Sequence, residues 1–100
     1  NQKKIKIITI HSAAAMNNYD GEASIGLAEE MAKYNKMIVE GYIGYPTPGS
    51  FGTFYGKERK LAVVTLETRS VSPEQAWVEN REALLAVLDY ALTPKNLPSK

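Results

Sequence analysis

Residues 61–77 read Leu61-Ala-Val-Val-Thr-Leu-Glu67-Thr-Arg-Ser-Val-Ser72-Pro-Glu-Gln75-Ala-Trp77, and this stretch decides the fold. Leu61 to Leu66 is a short, almost unbroken apolar run, the pattern of a strand covered on both faces. It ends on a carboxylate, Glu67. Five residues later Ser72 offers an N-cap, Pro73 suits the first helical position, and Gln75 completes a capping box. The apolar positions Trp77, Leu84, Leu85, Leu88 and Leu92 predict a helix to Thr93, before Pro94 stops it. A buried strand feeding directly into a helix is the repeating unit of an α/β sheet.

Working outward, Ile5 to Ile10 is a second β-branched run, ending at His11-Ser12. Ala13 to Asp20, built of small and amide residues, reads as a loop. Asp20 or Gly21 can then cap a helix to about Asn35, with Leu27, Met31 and Tyr34 inward and Ala28 and Ala32 beside them. Met37 to Ile43 is a third strand candidate. Gly44-Tyr45-Pro46-Thr47-Pro48-Gly49-Ser50-Phe51-Gly52 carries three glycines and two prolines, so it reads as a shaped loop giving way to a short helix near residues 50–56. The order strand, helix, strand, short helix, strand, helix predicts an α/β class with a mostly parallel sheet in a three-layer α/β/α arrangement. Three strands are few for such a sheet, and the outer two would leave long apolar edges.

Composition narrows the function classes. The 100 residues are 44% hydrophobic with a net charge of +1, an ordinary globular balance. Lys3, Lys4 and Lys6, and Lys57, Arg59 and Lys60, are the basic clusters; they read as solvated strand flanks and make no case for nucleic acid or an anionic membrane. There is no cysteine, which excludes disulfides and thiolate zinc sites. No apolar run approaches the ~20 residues that span a bilayer. The chain opens Asn1-Gln2-Lys3-Lys4 and enters a strand almost at once, as expected of a piece of a longer polypeptide.

Ligands of open α/β sheets bind beyond the carboxyl ends of the strands. His11 and Glu67 sit at two such ends, and loop 44–52 leaves a third, so topology predicts that all three converge on one edge. Taken alone, His11 reads as a strand-end histidine bonded to backbone, or as a neutral imidazole metal ligand. Glu67 reads as the ionic partner of Arg69 or a lysine, or as a general base. A carboxylate after a mostly apolar strand needs a partner or a use.

Ile-Thr-Ile-His11-Ser12, then Gly-Tyr-Pro-Thr-Pro-Gly-Ser-Phe-Gly (44–52), then Val-Thr-Leu-Glu67, stand in the order found late in the zinc carboxypeptidase (carboxypeptidase A) superfamily, which the chain resembles over about residues 5 to 90. Thr-Pro-Gly-Ser-Phe-Gly is similar to the murein peptide amidase branch, bacterial enzymes that cut the γ-D-glutamyl–meso-diaminopimelate amide of cell-wall peptides. The resemblance implies that residues 1–100 are the C-terminal part of one catalytic domain, with 94–100 a tail. It places His11 on the third zinc ligand and Glu67 on the glutamate that activates water and passes its proton to the leaving amine. Tyr45 falls nearest the family's mobile tyrosine, and Ser50 and Phe51 near the position that sets side-chain selectivity.

The same resemblance limits what the chain can do. The family's other two zinc ligands come from a His-x-x-Glu motif, and its substrate-binding arginines lie with them, upstream of the matched region. This sequence has one histidine. One imidazole cannot hold a catalytic zinc, which takes about three protein ligands. The chain is therefore expected to be inactive alone and to need the missing N-terminal half of the domain. The resemblance implies zinc as cofactor, a cell-wall peptide as substrate and the bacterial cytoplasm as location. Alternatives are a metallocarboxypeptidase that removes C-terminal residues (favoured if Phe51 selects an apolar side chain), an amino-acid deacylase of the same superfamily, and a non-catalytic α/β interaction module.

Overall fold

The computed structural model describes residues 5–12, 14–41 and 61–91. The elements are β1 (Lys6–Ser12), β2 (Met16–Asp20), a single 3₁₀ turn (Glu22–Ser24), α1 (Ile25–Asn35), β3 (Ile38–Glu40), β4 (Ala62–Thr68) and α2 (Pro73–Asp89). The four strands form one sheet in the order β1-β4-β2-β3. β1 runs parallel to β4 and β2 parallel to β3, whereas β2 and β4 are antiparallel. The fold is thus α/β with mostly parallel pairing, as the sequence predicted. The expected short helix near 50–56, and the part of the third strand beyond Gly41, lie outside the described residues.

Residues 16–20 correct the expectation of a loop. Met-Asn-Asn-Tyr-Asp is an inner strand, hydrogen-bonded to β4 on one side and β3 on the other. Asparagine is poor in strands because its amide competes for backbone groups. Here the amides are used. Asn17 is fully buried, and its Nδ2 donates to Asn35 Oδ1 (3.0 Å) and to the Met37 carbonyl (3.3 Å). Asn18 Nδ2 donates to the Glu40 carbonyl at 2.8 Å. Asn35 also donates to Asn80 Oδ1 of α2 at 3.2 Å, and Asn80 donates to the Ala76 carbonyl at 2.9 Å. The network ties β2, the end of α1 and the middle of α2 together, and it compensates the desolvation that buried amides incur.

Helix α1 begins later than expected. Gly21, at φ 81°, makes the turn out of β2, and the 3₁₀ turn precedes the first α-helical residue, Ile25. Ser24 is buried and serves the turn rather than the helix cap: its hydroxyl donates to the Asp20 carbonyl (2.6 Å) and accepts from Val63 N–H (2.7 Å). Lys36, in the left-handed conformation, ends the helix. Leu27, Ala28 and Met31 are fully buried as predicted, but Tyr34 is half exposed.

Both helices pack on one face of the sheet, around a core of Leu27, Ala28, Met31, Ala62, Val64, Leu66, Ala83 and Val87. The start of α2 is as read from the sequence at Ser72, whose Oγ accepts from Gln75 N–H at 3.1 Å, and at Pro73 in the first turn; the Gln75 side chain donates to Glu79 instead of closing a capping box. Its inward face is as read only at Leu84, which packs against the core. Asn80, Ala83 and Val87 are buried, while Trp77, Leu85 and Leu88 are 55%, 51% and 75% exposed. Ala76, Asn80, Ala83 and Val87 also recur at helical spacing, and these smaller side chains let α2 approach α1 closely. The helix carries two candidate stripes, and packing selects the slimmer one. Among the described residues, no helix is long and apolar enough to cross a membrane.

Lys6 is a further correction. It shares a face with Ala62 in the β1–β4 register, pointing toward the helices rather than to water. Its Nζ donates to the Val87 carbonyl (2.6 Å) and the Tyr90 carbonyl (2.8 Å), capping the C-terminal end of α2. A cation there satisfies orphan carbonyls and complements the helix dipole. Lys6→Met keeps the aliphatic stem and removes these bonds. It is expected to destabilise the fold by about 1.5–3 kcal/mol, the range for hydrogen bonds to a charged group. Urea denaturation of the variant against wild type measures the change; an unaltered midpoint would rule out the capping role.

Candidate functional site

The β1–β4 register places His11 directly opposite Glu67. Facing residues on paired parallel strands point to the same side, and neighbouring strands lie ~4.8 Å apart. Ile8, Val64 and Leu66 of these strands face the helices, so the alternating set Thr9, His11, Thr65 and Glu67 lies on the opposite face. Thr9 and Thr65 share a hydrogen bond across the strands at 2.7 Å, one step before the His11–Glu67 pair. The imidazole is exposed, and among the described residues no hydrogen bond reaches it. Among the described residues no backbone group partners it.

Glu67 is half buried. Its Oε1 accepts from Ala14 N–H at 3.5 Å, a long contact from the turn that joins β1 to β2. That turn includes Ala15 at φ 53°, a left-handed conformation that non-glycine residues rarely hold. β1 and β2 lie on either side of β4, and Ala14 meets the Glu67 carboxylate near the end of β4.

Arg69, the obvious ionic partner for Glu67, is engaged elsewhere. Its Nε donates to Glu79 Oε1 at 3.0 Å and its Nη2 bonds Glu79 Oε2, a bidentate pair. Gln75 Nε2 donates to the same Glu79 Oε2 at 2.9 Å, one turn back along α2. The hydrogen bond from Arg69, then that from Gln75, hold the Glu79 carboxyl down at about 2, well below its ordinary 4.5. Sequence reasoning passed over this cluster, although the i,i+4 spacing of Gln75 and Glu79 and the Ser72 cap that fixes the Gln75 N–H were its signals.

The sign of the pH dependence follows. A carboxylate whose folded pKa is depressed contributes stability above about pH 4.5, lost as pH falls toward 2. Solvent screening keeps this contribution small. Glu79→Gln is expected to flatten part of the fall in Tm between those limits. Identical Tm-versus-pH curves for variant and wild type would contradict the assignment.

Of the three motifs expected to converge, the structure brings His11 and Glu67 together, and the assumed direction of the third strand needs correction. β3 runs parallel to β2 and hence antiparallel to β4, so its carboxyl end lies at the opposite end of the sheet from His11 and Glu67. Loop 44–52, with Tyr45, Ser50 and Phe51, lies outside the described residues. The expectation assumed three parallel strands, and the unforeseen β2 reverses the direction of the third.

Among the described residues no three of His, Cys, Asp and Glu are grouped to hold a metal ion. His11, exposed and without a hydrogen-bond partner there, suits one ligand; the described donor set does not make a site on its own. A groove of about 410 Å³ runs on the helix face, lined by Ile10, Leu66, Trp77, Asn80 and Leu84, with His11 and Ser12 at its rim. Glu67 does not line it.

No family model matches the chain. Over 84 residues it is 29% identical to murein peptide amidase A of Vibrio campbellii, a match covering 84% of this chain and 33% of that protein. It superposes on the crystal structure of a murein-tripeptide amidase from Escherichia coli O157 with a TM-score of 0.68 and 22% identity, over 95% of this chain and 36% of that one. The chain thus spans about a third of the length of each. In sequence and in fold the chain matches part of a murein peptide amidase.

Proposed function

We propose that the complete protein carrying this sequence is a zinc-dependent amidase of cell-wall peptides, cutting the γ-D-glutamyl–meso-diaminopimelate bond. The observation that carries the reading is the pairing of His11 and Glu67 on one face of adjacent strands, with Arg69 held away from the carboxylate. The likeness to two proteins named as murein amidases supports it.

In this reading His11 is one of about three protein ligands, and the others come from residues outside this chain. A bound zinc ion supplies Lewis-acid polarisation. Glu67 acts as general base and acid: its carboxylate takes a proton from the attacking water and delivers it to the leaving amine nitrogen. The Ala14 amide orients one carboxylate oxygen, which leaves the other for the water. Tyr45, Ser50 and Phe51 would contact the leaving-side residue. Incubating the complete protein with L-alanyl-γ-D-glutamyl-meso-diaminopimelate should release free diaminopimelate. Release instead of C-terminal residues from ordinary peptides would replace this substrate class with that of a carboxypeptidase.

A further inference from the structure

We infer that Glu79 is a positioning residue that keeps the Arg69 guanidinium off Glu67, leaving the carboxylate free to handle protons. This inference rests on the proposed role of Glu67. Arg69 lies two residues beyond it, only ~7 Å along an extended chain and within reach of an arginine side chain. A guanidinium is a permanent charge and a strong bidentate partner for any carboxylate it meets. Left free, it would occupy the oxygens that a general base needs.

The structure directs it instead to α2. Its Nε and Nη2 both donate to Glu79. Glu79 is itself held by Gln75, whose backbone N–H is fixed by the Ser72 cap. Ser72, Gln75 and Glu79 form one chain of contacts from the start of α2 to Arg69. The residues between Glu67 and α2 thus turn the cation away from the catalytic face. Among the hydrogen bonds of the described residues, none joins Arg69 to Glu67, although the two are near neighbours in sequence.

A purely structural clamp and a sequestering one differ in how their variants combine. In the complete protein, Glu79→Gln releases the guanidinium while keeping side-chain shape. It is expected to lower kcat about tenfold, a fraction of the 10²–10⁴ that a general base supplies, with KM nearly unchanged. Adding Arg69→Gln removes the cation and should restore kcat close to wild type. Arg69→Gln alone should likewise keep kcat while lowering Tm slightly, which preserves the test if Glu79→Gln folds poorly. A double variant as slow as Glu79→Gln, or a Glu79→Gln variant with wild-type kcat, would overturn the inference.

Glu67→Gln serves as the control for the underlying reading. If it retains turnover, or if wild type has none, that reading fails, and the crystal structure of the complete Glu79→Gln protein decides the sequestering by itself. The guanidinium within hydrogen-bond distance of Glu67 would support it, and the guanidinium remaining apart would refute it.

Discussion

Glu67→Gln in the complete protein is expected to reduce turnover of a γ-D-glutamyl–diaminopimelate peptide by about 10²–10⁴-fold, the usual range for loss of a positioned general base. The amide is nearly isosteric, so the strand and its partners should persist. Glu67 lies next to the end of β4, whose preceding residues Ala62, Val63, Val64 and Leu66 are buried, and among the described residues its carboxylate makes one long contact, with the Ala14 amide. Little of the fold depends on its charge, so Tm should change by no more than a few degrees. KM should also change little, because the proton transfer is needed only in the transition state. Turnover within a few-fold of wild type would remove Glu67 from the chemistry.

The second large effect concerns His11. Among the described residues its imidazole has no hydrogen bond, and it lies at the end of β1 on the same face as Glu67. Replacing it with alanine therefore has small structural cost. If it is a ligand, the variant loses one of about three protein donors, and metal affinity should fall by orders of magnitude. Stability and metal content thus separate in this variant: folding is kept and the ion is lost.

Much of this geometry was legible in the residues. The apolar runs before His11 and Glu67 became β1 and β4, and the Ser72-Pro73-Gln75 signal became the start of α2. These succeed because a continuous β-branched run and a serine N-cap act locally. β2 was not legible, since Asn17 and Asn18 tolerate a buried strand only through partners at Asn35, Met37 and Glu40, which are distant in sequence. The missed strand had a consequence beyond itself. It makes β3 antiparallel to β4, so the expectation that all strands end at one edge does not hold for β3.

The stripe on α2 holds at Leu84 and fails at Trp77, Leu85 and Leu88 for a different reason. Hydrophobicity ranks Trp77 and Leu88 above Ala83 and Asn80, yet closeness to α1 favours the smaller side chains. The exposed set leaves Trp77 beside Ile10 on the groove along β1. Lys6 was likewise placed in solvent by its charge, whereas its ammonium serves the carbonyls at the end of α2. Arg69 reads from the sequence as a candidate ionic partner of Glu67, and the structure pairs it with Glu79 instead. Pairwise proximity in sequence identified the competition, and only the fold identified the winner.

The central claim is that His11 and Glu67 belong to one metal-dependent hydrolytic site. Zinc content of the purified complete protein, wild type against His11→Ala, tests it most directly. About one zinc per chain in wild type, and its loss from a variant that remains folded, is the expected result. Unchanged stoichiometric zinc in His11→Ala would contradict the claim.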